Sequence, residues 1–269
     1  MLKLHSKDAY IISAARLLEQ ISRWAFKAIL ILFMVQEFEI DPEQALSVFG
    51  FFILGGYLLQ IVGGILGDFL FGHKTAFIIG CMIKAVGVFS LLVGSESKFY
   101  VSLITISIGS SFCNPNAISL LGKLYLNKTH LLHSALNLYY GSIILGSMIG
   151  ILIIGSGYYM LNLTTCIIIT GSCSVAAAGV LFFTKPQLKV TPKPKQKTPF
   201  KPIALIIISI IAFALFWACV NLNIAPYMTA VAQLNFEINN GASLDCFLNL
   251  FYYFTIGFSL IGFVFWSFV

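Results

Sequence analysis

Arg16, Glu19, Arg23 and Lys27 follow one another at spacings of three, four and four residues inside an apolar stretch. On an α-helix that spacing stacks all four on one face. Ionisable side chains within a membrane-spanning helix are costly, and they face a partner or a water-filled cavity. Glu19 can pair with Arg23 one turn on and with Arg16 on the other side. Lys84, in a later apolar run, is another cation of the same kind. One reading is a hydrated interior pathway of net positive charge, suited to an anionic group. The other is a mutually neutralised structural cluster, with Lys27 reaching outward to the interface.

A second constellation is the run GGILGDFLFGHKT at 63–75. Gly63, Gly64 and Gly67 allow helix backbones to approach closely inside a membrane. Asp68, Gly72, His73 and Lys74 then make a tight, charged turn at the water surface. Asp68 and Lys74 also fit a plainer role, as charges at the ends of two spans. Asn114 and Asn116 flank Pro115, which reads as a kink whose freed carbonyls the amides help to satisfy, as a ligand contact, or as both. Trp24, Tyr139 and Tyr140 read as packing or as the wall of a cavity. His5, His73, His130 and His133 stand near the predicted inner surface with no metal or catalytic spacing. The six cysteines have no metal or disulfide spacing and read as small packing residues. No nucleophile elbow, phosphate loop or zinc constellation is present, so neither an enzyme nor a cofactor nor a metal is expected.

The elements that carry these residues follow from composition. Of 269 residues, 59% are hydrophobic and 10% charged, and the mean hydropathy is +0.94. A soluble domain has about a quarter charged residues. Apolar runs of bilayer-crossing length recur along the whole chain. The expectation is an all-α, multi-pass integral membrane protein whose only constant partner is the lipid bilayer. Eight spans are predicted at about 10–36, 46–68, 75–95, 99–121, 134–156, 160–183, 203–231 and 245–269. With the N-terminus in the cytoplasm, inside segments hold eleven lysines and outside loops hold only Lys98. That asymmetry places both termini inside, and in a bacterium the membrane would be the inner one. The net charge of +6 is therefore a topology signal and not a nucleic-acid one.

TKPQLKVTPKPKQKTPFKP at 184–202 is the one clear linker, because alternating Lys and Pro cannot build a core. It separates a six-span unit, 1–183, from two further spans, 203–269. Six spans, a basic cytoplasmic loop and the start of a second set is a carrier layout.

The motif at 63–75 resembles the loop between spans 2 and 3 of the proton-dependent oligopeptide transporter family, within the major facilitator superfamily. GSSFCNPNAISLLGKLY at 109–125 is similar to the family's fourth-span signature. SALNLYYGSIILGSMIG at 134–150 is similar to its fifth-span motif, AFALFWACVN at 212–221 to its seventh, and FKAILILFM at 26–34 to the end of its first. The resemblance implies a major-facilitator-like N-terminal six-helix bundle, followed by the first two helices of a second bundle. About four more spans would complete such a carrier, either in a longer chain or in a second polypeptide.

Departures from the family pattern sit at its functional positions. Its ExxER motif falls on Arg16, Glu19 and Gln20, so only the second glutamate remains. The fourth-span lysine falls on Asn114, the fifth-span asparagine on Ile144 and the seventh-span glutamate on Asn221, while the second-span tyrosine is kept as Tyr57. By resemblance these positions serve proton coupling and recognition of peptide termini. The implied function is movement of small peptides or related anionic solutes, with protons as the coupling ion, by alternating access. The alternatives are a truncated or degenerate member without autonomous transport, or a membrane scaffold built on the carrier half-fold.

Overall fold

A run of 31 residues, Lys7–Glu37, opens the bundle as helix α1, about 46 Å long at 1.5 Å per residue. It outreaches the roughly 30 Å hydrocarbon layer. The computed structural model describes residues 5–183 apart from 94, 95, 127 and 161, and among these no strand occurs. After α1 come α2 (Pro42–Leu66), α3 (His73–Ser90), α4 (Glu96–Leu124), α5 (Leu132–Met160) and α6 (Leu163–Phe182). These six helices match the first six predicted spans to within a few residues. The linker and the last two predicted spans lie outside the described residues.

Local sequence sets the ends. Pro42 opens α2, where its missing N–H leaves no helical bond unmade. A π-helical turn, Gly67–Phe71, extends α2, and Gly72 breaks it with φ 74° before α3 begins. Among the described residues four helical segments, around α2, α3, α5 and α6, are long and apolar enough to cross a membrane. The charged face of α1 and the serines and asparagines of α4 lower their hydropathy, yet both helices are bundled with the other four.

The packing order is an arc, α2–α4–α3–α6–α1–α5, with α1 also touching α2 and α4. Small residues set its seams, as expected where lipid gives no hydrophobic drive for helix association. A methyl on Gly150 of α5 would lie 2.6 Å from the Ile21 carbonyl of α1. Buried apolar residues form two clusters. One joins Ala25–Met34 of α1 to Val88 of α3, Phe99–Ile106 of α4 and Cys166 of α6. The other joins Ala9–Ala15 of α1 to Phe77 and Cys81 of α3, Cys113–Leu121 of α4 and Leu181 of α6. Between these two layers α1 carries Arg16, Glu19, Gln20 and Arg23, and α3 carries Lys84. The charges therefore occupy a polar layer at mid-bundle.

Candidate functional site

Glu19 is fully buried and receives three cations. Arg16 donates from Nη1 to its Oε2, one turn back along α1. Arg23 donates from Nε to Oε1 at 3.1 Å, one turn forward. Lys84 reaches across from α3, donating to the same Oε1 at 3.1 Å and to the Glu19 backbone carbonyl at 3.2 Å. Such charge-assisted bonds are among the stronger ones available to a protein, and a buried carboxylate needs them. The spacing on α1 predicted the first two partners. The third comes only from the α3–α4–α1 packing, where a methyl on Gly109 of α4 would lie 2.8 Å from the Lys84 Cα.

The cluster continues into α4 and α2. Arg16 donates from Nη2 to Asn114 Oδ1. Asn114 donates in turn to Gln60 Oε1 at 2.8 Å, and Gln60 bonds the Gly56 carbonyl at 3.4 Å. Arg23 donates from Nη2 to the Ser110 carbonyl at 3.2 Å. The sequence reading did not single out Gln60, although a lone carboxamide inside an apolar span was the available signal. Gln20, at the family's arginine position, is also buried; its Cβ would lie 2.9 Å from a methyl on Gly146 of α5.

Beside the cluster lies a small, open cleft. Arg23, Lys27 and Lys84 line it together with Tyr57 and Gln60, and Phe26, Phe52 and Ile106 supply apolar wall. Lys27 lines this cleft with its Nζ 4.9 Å from the Trp24 ring centroid, a cation–π contact. Among the described residues no carboxylate pairs with Lys27. Of the predicted site residues, Arg16, Glu19, Arg23, Lys84 and Asn114 thus share one network. Lys27 and Tyr57 border the cleft, and Asn221 lies outside the described residues.

The second constellation forms a separate knot at the end of the bundle. Gly63 and Gly67 let α2 press on α4: a methyl at Gly63 would strike the Ser111 carbonyl, and one at Gly67 the Asn116 amide. Gly64 meets Pro115. Ser111 is the residue whose carbonyl Pro115 frees by lacking an N–H. Asn116 donates to the Gly63 carbonyl at 3.0 Å and to the Phe112 carbonyl at 2.8 Å. Its Oδ1 meets His73 Nδ1 at 2.9 Å. On the other side of that ring Asp68 Oδ1 lies 3.3 Å from Nε2, an ion-pair distance without hydrogen-bond alignment. Lys74 donates to the Phe182 carbonyl at 3.2 Å, neutralising the negative end of α6. The two asparagines around Pro115 therefore part company: Asn114 joins the charged layer and Asn116 the loop.

A model of the Major Facilitator Superfamily matches residues 12–269. Dipeptide and tripeptide permease B of Salmonella typhimurium is 28% identical over 237 residues, which are 84% of this chain and 47% of the permease. The Yersinia enterocolitica permease of the same name is 33% identical over 147 residues, 54% of this chain and 30% of that one. The chain spans less than half the length of these relatives. The crystal structure of a peptide transporter POT in complex with sulfate aligns with a TM-score of 0.66 at 23% identity, covering 83% of this chain and 48% of the other. That of an auto-inhibited POT family peptide transporter aligns at 0.65 and 21%, covering 85% and 51%. A polar layer inside an all-helical six-helix bundle, the α2–α3 loop motif and a match over 12–269 lead to one conclusion: this multi-pass integral membrane protein belongs to the Major Facilitator Superfamily and is similar to its peptide-transporting POT members.

Proposed function

We propose that the protein serves to carry small peptides or related anionic solutes across a membrane by alternating access. The observation that carries this reading is the Glu19 network beside the open cleft, where Arg23, Lys27 and Lys84 present cations next to apolar wall. A solute's carboxylate would find donors there, and its apolar part Phe26 and Phe52. In a rocking carrier the site lies near the midplane between two bundles. The polar layer stands at mid-bundle, as such a site requires. The N-terminus and the α2–α3 loop belong on the cytoplasmic side in this reading, with the lysine asymmetry in its support.

A second reading, transport without proton coupling, has its own observation. Arg16 and Asn114 stand where the family carries ionisable coupling groups, and here they bond to one another. Purified protein in liposomes, given an inward proton gradient and labelled di-alanine, separates the two. Uptake against the di-alanine gradient that collapses with a protonophore supports coupling. Downhill exchange indifferent to the protonophore supports the second reading. No flux of any solute tried would remove both.

A further inference from the structure

His73 opens α3 inside the loop knot, and the helices of the described bundle bury its ring. Both ring nitrogens face acceptors. Nδ1 lies 2.9 Å from Asn116 Oδ1, and Nε2 lies 3.3 Å from Asp68 Oδ1. The Asn116 amide is held in this orientation, because its Nδ2 donates to the carbonyls of Gly63 and Phe112. Its oxygen is therefore the atom that meets the ring, and a neutral His73 carries its proton on Nδ1. In that form Nε2 is a buried lone pair turned toward a carboxylate, with no hydrogen-bond partner. A buried polar atom left unpaired is costly. Only the imidazolium, with a proton on each nitrogen, can donate to both Asn116 and Asp68. Asp68 has room to move for that bond, since its side chain is 58% exposed.

We infer that His73 is a proton-sensing latch: a proton taken up at Nε2 draws Asp68 into a charge-assisted hydrogen bond and fastens the α2–α3 loop onto α4. The added bond exists only in the closed loop. The loop therefore closes as pH falls through the range in which histidines titrate, and it loosens as pH rises. The other charged and titratable groups at this end leave Asp68 in control. Lys74, the next residue, donates to the Phe182 carbonyl of α6. On α4, Lys123 stands two turns beyond Asn116 on the same face, exposed and about 10 Å along the axis, where water and salt screen it. Cys113, one turn before Asn116, is buried against Cys81. Neither α2 from Ala45 to Leu66 nor α6 carries a charged residue. Asn116 also holds the Gly63 carbonyl of α2, and Lys74 holds α6, so the state of one ring bears on four helices.

Hydrogen exchange of the backbone over 66–76, read by mass spectrometry on the purified full chain in detergent, tests the latch at about pH 5.5 and about pH 8. Each variant is compared with the unsubstituted protein at the same pH, so the chemistry of exchange cancels. One charge-assisted contact corresponds to about tenfold in protection. The unsubstituted protein should be about tenfold better protected than Asp68→Ala at the acid pH and no better protected at the alkaline one. His73→Gln should behave as Asp68→Ala does, because glutamine can bond Asn116 but takes up no proton. Asp68 is exposed, so Asp68→Ala keeps the test open if His73→Gln does not fold. Equal protection of the unsubstituted protein and Asp68→Ala at the acid pH overturns the inference, and so does a difference of one size at both. Nitrogen NMR of histidine-labelled protein adds a direct reading of the ring, with the His73 signal identified by its loss in His73→Gln. The alkaline form should carry its proton on Nδ1, and a proton on Nε2 there would overturn the latch.

Discussion

At the residue scale, Glu19 is the keystone of the polar layer. Arg16 and Arg23 stabilise it along α1, and Lys84 ties that helix to α3. Removing one partner of a buried ion pair costs about 3–5 kcal/mol, because the remaining charge is left uncompensated. Glu19→Gln should therefore lower the yield of folded protein sharply. The double change Glu19→Gln with Lys84→Met should recover part of it, since the cation that has lost its partner is gone as well. Detergent-extracted yield and thermal stability measure both variants. Equal losses for the single and the double would mean that Lys84 and Glu19 do not interact. The α1 spacing made the Arg16–Glu19–Arg23 ladder legible. Lys84 was visible as a buried cation, but its partner was not, because a contact 65 residues away leaves no periodic trace.

At the scale of elements, the seam between α2 and α4 depends on two glycines. A side chain at Gly67 would drive into Asn116, the residue that also holds His73 and the Gly63 carbonyl. Gly67→Leu should separate the helices and loosen the α2–α3 loop, with a loss of at least about 2 kcal/mol from overpacking and unpaired polar groups. Gly55→Ala, where nothing lies within 4 Å, is the control and should be tolerated or slightly stabilising. Thermal unfolding in detergent compares the two, and similar losses would show that the seam is not specific. Gly72, at φ 74°, is a different case. With ψ at 147° this is backbone that essentially only glycine adopts, so Ala there would cost about 1–3 kcal/mol whatever the space around it. Lys74 closes the same loop onto the end of α6, so Lys74→Ala should raise the protease sensitivity of the α2–α3 loop while leaving the helix content unchanged. Unchanged sensitivity would reduce Lys74 to a topology charge.

At the scale of the whole molecule, the bundle is an arc whose two ends, α2 and α5, do not pack on each other among the described residues. Phe51, Leu58, Ile61 and Ile65 of α2 are exposed along it, apolar surface that a bilayer or further helices can meet. The proposed orientation puts the α1–α2 loop outside and the α4–α5 loop inside. Single cysteines at the exposed positions Glu39 and Lys128, in a cysteine-free background, check it with an impermeant thiol reagent on intact cells. Glu39→Cys should be labelled and Lys128→Cys should not. The reverse pattern would invert the topology.

The amino-acid sequence by itself determined the class, the six spans of the described bundle and their approximate ends. Hydrophobic run length against bilayer thickness is a local property, and so is the helical spacing that put four charges on one face of α1. The glycines and the Asp–Gly–His–Lys turn at 63–75 announced a loop motif by type and spacing alone. Tertiary structure decided which polar groups meet. It brought Lys84 to Glu19, linked Gln60 through Asn114 to Arg16, and split Asn114 from Asn116 on either side of Pro115. Those partnerships depend on how closely α2, α3 and α4 approach α1 and one another. That approach is set by which small residues face each other across the seams, a pairing between distant segments that no single window of sequence contains.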